Sequence, residues 1–449
     1  GEPPSFNRLT KENIHTITMG YVDVELLLAE DEIDLENGLP PRFGYPFEVN
    51  YNMENSGTWE TLPDGSRLWR LQIASPGAYS INLIYDHFWM PEGARMFLYN
   101  EDRSMVLGAF TAQNNKPWDE FATGLVKGDI CYIEYHEPVD VETQGIISVS
   151  RVVHGYKNLF DYKEADGILG FGDSGDCNNN VNCPVGDDWQ DEKRSVAMIL
   201  TSGGSRLCTG SLINNVRNDL TPFFLTANHC LPGASTWVFM FNYESPNCDD
   251  IDGPTWMTVS GSTLRASNSY SDFALLELSV APPDSYEVFF AGWSRVDTAA
   301  SSAVAIHHPS GDIKKISFEY DPLASTSYLG GPGTGSSHWR VEDWDDGTTE
   351  PGSSGSPLYD PNHRVVGQLH GGYASCTSQT PDWYGKFSKS WDYGSSASSR
   401  LKDWLDPENT GIEVIDGIDA TGVSITHTPL EDTKDDQNDY EVICEITSN

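Results

Sequence analysis

The sequence predicts an all-β protein in two parts, a β-sandwich followed by a β-barrel domain that one helix closes. Short apolar runs alternate with polar residues between Gly, Pro and Asp turns along most of the 449 residues. This pattern is typical of strands in antiparallel sheets. The Gly- and Asp-rich stretch EADGILGFGDSGD has no periodicity and divides the chain. The only clear helical pattern, SSRLKDWLD, lies near the end.

Each part can be assigned a range. Residues 1–165 contain alternating runs such as SINLIY and CYIEY and are predicted to form the sandwich. Residues 166–176 are predicted to be a linker and processing region. In residues 177–419 the runs VAMIL, FFLTA, FALLEL and RVVGQLHGG predict the strands of the barrel domain. Residues 420–449 hold two possible strands, which cannot bury a core alone, so we expect a tail or the start of a truncated β domain.

Charge and cysteine content restrict the partners and the compartment. A net charge of -40 would repel nucleic acids and anionic membranes, so neither is expected as a partner, whereas basic polypeptides would be attracted. The same acidity could instead serve only solubility. Eight cysteines without CxxC pairs indicate disulfides and an oxidising compartment, so we expect a secreted protein. No metal or cofactor is predicted, and we expect a monomer.

Three segments carry residues suited to nucleophilic catalysis. They are LTANHC with His229, SDFALLEL with Asp272 and EPGSSGSP with Ser354. A serine hydroxyl needs a nearby base and a carboxylate that orients this base. The order His, Asp, Ser is that of chymotrypsin-like enzymes, whereas α/β-hydrolases and subtilisins have other orders. The sequence therefore predicts a chymotrypsin-like double β-barrel with this triad.

Residues around the serine and the histidine support the prediction. Gly352 and Gly355 flank Ser354 and allow the backbone a tight turn, so the amides of Gly352 and Ser354 are predicted to form the oxyanion hole. Taken singly, each motif more often has a structural role than a catalytic one. The nearby CTGSL segment, however, provides Cys208, which is positioned to pair with Cys230 beside the histidine.

These motifs resemble the lysyl endopeptidase family of secreted bacterial serine proteases. The resemblance runs in order from SGDCNNNVNCP through CTGSL, FFLTANHC, SDFALLEL, AIHHP, EPGSSGSPLY and GQLHGG to DWLDPENTGIEVIDGID, over about residues 172–417. It implies the same triad and a serine endopeptidase activity on polypeptides. It also implies three disulfides, Cys177 to Cys376, Cys183 to Cys248 and Cys208 to Cys230, which leaves Cys131 and Cys444 over.

The resemblance also implies the substrate preference. In the family a carboxylate shortly before a Tyr-Gly strand lines the primary specificity pocket, and PDWYGKF has Asp382 at that place. We therefore expect cleavage after Lys, with Arg as a second candidate. In the family a histidine corresponding to His370 lies next to the active site against a tryptophan, and Tyr328 is the candidate replacement for this tryptophan. His307 and His308 of AIHHP are interpreted as loop residues.

The N-terminal block corresponds in position to the family's propeptide. It is therefore expected to act as a folding aid and intramolecular inhibitor, with a permanent accessory domain as the alternative. Phe171 rather than a lysine precedes Gly172, the position matching the family's mature N-terminus, so self-cleavage there is not predicted. Two other functions stay open from the residues alone, a glutamyl endopeptidase and a non-catalytic secreted binding or adhesion module. Asp382 argues against the first, because it would repel an acidic side chain.

Overall fold

The computed structural model describes residues 2–7, 13–36, 39–159, 174–201, 205–249, 251, 253–378 and 380–420. Most of the predicted linker, the two possible strands after residue 420 and Cys444 lie outside the described residues. Strands dominate the described chain, as the alternating pattern predicts. None of its helices is long and apolar enough to cross a membrane.

The N-terminal block consists of two sheets packed face to face. Its strands are β1 (His15–Thr18), β2 (Gly44–Asn52), β3 (Thr58–Thr61), β4 (Arg67–Ala74), β5 (Ser80–Trp89), β6 (Arg95–Asn100), β7 (Val106–Phe110), β8 (Phe121–Ala122), β9 (Val126–Lys127), β10 (Ile130–Glu137) and β11 (Ile146–Gly155). One sheet has the order β1-β4-β10-β6-β7, with β3 also on β4. The other has the order β2-β11-β5-β8, with β9 also on β5.

A single apolar core joins the two sheets of this block. Trp69 and Leu71 of one sheet and Leu83 and Tyr85 of the other belong to it, and all four are fully buried. Such alternating inward residues are what a sandwich requires. One helix, α1 (Val24–Glu36), was not predicted. Its apolar residues lie all around the helix, so that Leu27 is buried while Leu26 and Ile33 are exposed, and no amphipathic period reveals it.

The second part begins with a short strand, β12 (Asn179–Asn180), which belongs to the second sheet described below. The strands of the first barrel are β13 (Val196–Thr201), β14 (Arg206–Leu212), β15 (Phe223–Ala227), β16 (Val238–Phe241), β17 (Thr258–Ser260), β18 (Ser262–Asn268) and β19 (Phe273–Leu278). They form a seven-stranded antiparallel sheet in the order β17-β16-β13-β14-β15-β19-β18. Ile199, Phe224, Phe239 and Leu276 meet in one core that this sheet encloses.

A second sheet of ten strands follows. Its further strands are β21 (Trp293–Ser294), β22 (Ala303–His307), β23 (Lys315–Glu319), β24 (Ala324–Thr326), β25 (His338–Val341), β26 (Pro357–Tyr359), β27 (Val365–Gly372), β28 (Asp382–Lys386) and β29 (Val414–Ile415), while β20 (Phe289–Phe290) pairs separately with β30 (Ile418–Asp419). Ala305, Trp339, Leu358 and Tyr384 form the core of this second barrel. The chain thus has the chymotrypsin-like double-barrel fold.

Two short helices lie beside the barrels. The predicted C-terminal helix is shorter than its sequence pattern, with α3 spanning Lys402–Leu405. A second helix, α2 (Phe387–Asp392), follows β28 directly and was not predicted. Phe387 and Trp391 of α2, together with Leu405 of α3, pack into a core that contains residues of both barrels. The helices therefore help to hold the two barrels together, with the cleft between them.

A backbone segment of the N-terminal block, residues 41–44, forms hydrogen bonds with residues 205–207 at the start of β14 in the first barrel. The amides of Phe43 and Gly44 donate to the Ser205 carbonyl at 2.9 and 3.4 Å, and the Leu207 amide donates to the Pro41 carbonyl at 3.0 Å. The Arg206 side chain bonds the Pro40 carbonyl and forms an ion pair with Asp34.

Apolar residues of both parts cover this junction. The buried cluster consists of Phe43, Ile84, Ala122, Leu125, Leu159, Met198, Leu200, Leu207, Val238, Met240, Tyr243 and Ile313. A second contact lies near β17, where Lys116 donates to the Ser260 carbonyl and Ser235 donates to the Glu120 carboxylate. On the side of the second part, these contacts lie on β13, β14, β16 and β17 and in the segments next to them, apart from Ile313, which belongs to the second barrel.

Candidate active site

A histidine and an aspartate meet at the edge of the first barrel. His229 lies in a single helical turn that follows β15, and Asp272 immediately precedes the neighbouring strand β19. The His229 amide donates to Asp272 Oδ1 at 3.0 Å, and His229 Nδ1 is 2.7 Å from Asp272 Oδ2. Burial raises the pKa of the Asp272 carboxyl, and the contacts with His229 oppose this shift. This geometry fixes the imidazole with Nδ1–H towards the carboxylate.

The turn that carries Ser354 lies against the end of β15. Gly352 and Gly355 have φ values of 102° and 84°, which favour glycine, and a Cβ on Gly355 would be 2.2 Å from Thr226 Oγ1. The Thr209 amide donates to the Ser354 carbonyl at 2.8 Å, and its hydroxyl donates to the Gly352 carbonyl at 2.8 Å. The glycines predicted from sequence therefore permit a close approach between this turn and the first barrel.

Two features of this turn bear on chemistry. Among the described residues, the amides of Gly352 and Ser354 donate no hydrogen bond within the chain, so both are available to an external oxygen. Within the same set, Ser354 Oγ forms no hydrogen bond with the His229 ring. Such bonds are commonly long in the absence of substrate.

The three disulfides have the pairing that the resemblance implies. They are Cys177–Cys376, Cys183–Cys248 and Cys208–Cys230. The last one ties β14 to the turn of His229, and the first ties the segment after the linker to the loop between β27 and β28. Cys131, a free cysteine among the described residues, lies buried in β10, where burial raises the pKa of its thiol. Two of the three disulfides therefore brace segments of the site, namely the turn of His229 and the loop that precedes Asp382.

Asp382 begins β28 and is buried, with 1% of its surface exposed. Its Oδ2 accepts from the Trp344 indole at 2.8 Å and from the Thr349 hydroxyl at 2.6 Å. Its Oδ1 is buried and, among the described residues, forms no hydrogen bond of standard geometry. A Cβ on Gly372 would be 2.0 Å from this Oδ1, so the glycine allows the β27 backbone to lie beside the carboxylate. Burial raises the pKa of Asp382, against the effect of its two side-chain donors and of the Ala374 amide.

His370 of β27 lies beside the histidine–aspartate pair. Its Nε2 is 3.7 Å from Asp272 Oδ2, and Tyr328 stacks on its ring with centroids 3.5 Å apart. Tyr328 thus stacks on His370, the position for which the sequence analysis made it the candidate. On the other side, His370 Nδ1 is 3.0 Å from Nε2 of His338, a buried residue that the sequence analysis missed. His229, Asp272 and His370 could together offer three ligand atoms to a metal ion.

The expectation that His307 and His308 are loop residues is wrong for His307 and holds for His308. His307 is the last residue of β22 rather than a loop residue, and both side chains are fully buried. His307 Nδ1 is 2.8 Å from Ser353 Oγ, and its Nε2 is 3.0 Å from Ser317 Oγ. Burial lowers the pKa of His307 to about 3, so the ring is neutral and supports the turn next to Ser354.

The last residues of the predicted linker are also attached to this turn. The Gly175 amide donates to Glu350 Oε1 at 2.8 Å, and the Ser310 hydroxyl donates to Glu350 Oε2 at 2.7 Å. Ser174 donates through its hydroxyl to Asp312 at 2.6 Å. Glu350 therefore connects residues near the predicted processing region to the turn that carries Ser354.

The two barrels, the paired His229 and Asp272 and the serine turn define the protein as a serine endopeptidase of the chymotrypsin-like class. Residues 171–385 match the family described as lysyl endopeptidase, C-terminal domain. A lysyl endopeptidase of Pseudomonas aeruginosa is 27% identical over 387 residues, which are 78% of this chain and 81% of the relative. Both comparisons support membership of the lysyl endopeptidase family over these residues.

Solved structures give weaker similarities. A thermostable serine protease, AL20, from an extremophilic microorganism is 14% identical, with a TM-score of 0.32, over 44% of this chain and 92% of that one. A Glu endopeptidase in complex with MPD is 16% identical, with a TM-score of 0.31, over 48% of this chain and 92% of that one.

Proposed function

We propose that the protein is a secreted endopeptidase that hydrolyses peptide bonds on the carboxyl side of lysine. Ser354 is the nucleophile, His229 the general base and acid, and Asp272 the residue that orients the imidazole. The hydrogen bond between His229 and Asp272 supports this assignment, as does the position of the Ser354 turn against β15.

In the proposed reaction Ser354 Oγ attacks the substrate carbonyl carbon while His229 Nε2 takes the hydroxyl proton. Asp272 stabilises the imidazolium that forms. The amides of Gly352 and Ser354 donate to the oxyanion of the tetrahedral intermediate, a contribution whose loss typically lowers the rate about 100-fold or more. His229 then gives its proton to the leaving amine, and water releases the acyl group by the same steps in reverse.

The unpartnered Oδ1 of Asp382 is the observation that carries the lysine preference. A buried carboxylate oxygen without a donor is costly, and a substrate ammonium would supply the missing donor together with a compensating charge. The other oxygen is already occupied by Trp344 and Thr349, so the carboxylate presents one free acceptor atom. A single acceptor fits the compact lysine ammonium better than the bidentate fork of arginine.

Secretion and synthesis as a precursor belong to the same proposal. Three disulfides are expected to persist only in an oxidising compartment. The N-terminal block has its own core and an extensive junction with the first barrel, as expected of a domain that assists folding. Its role as an inhibitor stays a prediction.

The test is the substitution Asp382→Asn, which keeps the size of the side chain but removes its charge. We expect kcat/KM for a lysyl peptide to fall about 30-fold to several thousand-fold, because the ammonium is then buried without its partner. A matched alanyl peptide should be cleaved at an almost unchanged rate, and an arginyl peptide shows how strictly the pocket selects lysine. An unchanged ratio of lysyl to alanyl cleavage would exclude Asp382 as the pocket acid.

A further inference from the structure

Three hydrogen-bonding side chains lead from the second barrel to Asp272. Ser337 Oγ is 2.7 Å from His338 Nδ1, His338 Nε2 is 3.0 Å from His370 Nδ1, and His370 Nε2 is 3.7 Å from Asp272 Oδ2. Ser337 and His338 are buried, and Tyr328 covers one face of the His370 ring. The chain of contacts therefore runs through a largely water-free region.

A neutral imidazole carries one proton, on either of its nitrogens, and its hydrogen bonds decide which. Burial lowers the pKa of His370 to about 2 and the pKa of His338 to about 4, so both rings are neutral near neutral pH. The contacts then allow only two consistent arrangements. Either every proton points towards Asp272, or every proton points towards Ser337.

The Asp272 carboxylate distinguishes the two arrangements. With protons towards Asp272, the Ser337 hydroxyl donates to His338, His338 Nε2–H donates to His370 Nδ1, and His370 Nε2–H faces the carboxylate. In the opposite arrangement the lone pair of His370 Nε2 would face a negative oxygen 3.7 Å away. Charge repulsion in a buried site disfavours this second arrangement.

We propose that His338 is a positioning residue, which holds His370 in the Nε2–H tautomer and thereby directs an N–H group towards the Asp272 carboxylate, 3.7 Å away. This inference rests on the proposed roles of His229, Asp272 and Ser354. His338 acts only through His370, and its effect should appear in the chemical step rather than in substrate binding. Substrates with lysine and with an uncharged residue at the cleaved position should be affected alike.

The kinetic test compares His338→Leu, which removes the donor, with His338→Gln, whose side-chain amide can donate in place of Nε2–H. For His338→Leu we expect kcat to fall about 2- to 13-fold, the value of one neutral hydrogen bond, with KM little changed. His338→Gln should restore much of the lost kcat. The matched control is His363→Gln, which alters a histidine stacked on Trp189 instead. The proposal would be overturned if kcat is unchanged in His338→Leu. It would also be overturned if His338→Gln loses as much kcat as His338→Leu.

A second measurement does not depend on activity or on the folding of a His338 variant. ¹⁵N NMR of ring-labelled histidine in the Ser354→Ala chain shows which nitrogen of His370 carries the proton, with the signal assigned by its absence in His370→Gln. We expect protonation at Nε2, and protonation at Nδ1 would overturn the proposal. Failure of the proposed triad would appear separately, as hydrolysis that survives Ser354→Ala.

Discussion

Trp344 offers a sharper test of the proposed lysine pocket than the removal of the Asp382 carboxylate. The indole Nε1–H donates to Asp382 Oδ2 at 2.8 Å, and both side chains are buried. Trp344→Phe removes this donor while the aromatic ring stays, so Asp382 keeps its charge but loses part of its stabilisation. Hydrogen bonds to charged groups contribute about 1.5 to 3 kcal/mol. If this stabilisation supports the ion pair with substrate, kcat/KM for lysyl peptides should fall about 10- to 150-fold.

The assay measures kcat/KM on matched lysyl and alanyl peptides over a range of pH. Loss of the donor should raise the pKa of Asp382 further, so the acid limb of the lysyl profile should move to higher pH. The alanyl profile should keep its position. Trp339→Phe is the control, because its indole donates to the Val366 carbonyl at 3.2 Å in the same barrel core. Equal losses on both peptides, or equal losses in the control, would refute the reasoning.

Two further predictions concern the serine and the docked block. Ser354→Ala should abolish peptide hydrolysis while the three disulfides form as before, and near-normal turnover would contradict the assignment of Ser354 as the nucleophile. The purified Ser354→Ala precursor should stay uncut if the enzyme processes itself. Lys116 is buried at the junction, and burial lowers its pKa from 10.5 to about 7. Since the unfolded chain then binds more protons than the folded chain, stability of the full chain should rise as the pH increases from about 7 to 10.5. Lys116→Met should flatten this rise in urea unfolding at several pH values, and an undiminished rise would show that another group causes it.

The strands and the position of the serine turn could be predicted from sequence because their signals are local. FFLTA, FALLEL and VAMIL correspond to β15, β19 and β13. Gly355 is needed for the close approach to Thr226 that the structure shows. Alternating patterns, turn glycines and motif order are all properties of short segments.

The partners of the predicted residues could not be found in this way. Trp344 and Thr349 bond Asp382 from 38 and 33 residues away in the sequence, and His338 bonds His370 from 32 residues away. No local pattern distinguishes a tryptophan that bonds a carboxylate from one that fills a core. The short helix α2 was missed for another reason, because its six residues are too few to show a helical period.

The docking of residues 41–44 on β14 has a consequence for a protease domain that is produced without the N-terminal block. Without this block, the backbone of residues 205–207, which is now hydrogen-bonded to it, would be exposed. The apolar side chains of Met198, Leu200, Val238 and Met240 would be exposed as well. An open strand edge beside an apolar surface is a template for self-association. The N-terminal block covers this edge and this apolar surface, so we expect the protease domain produced without it to self-associate through that face even where its catalytic residues are intact.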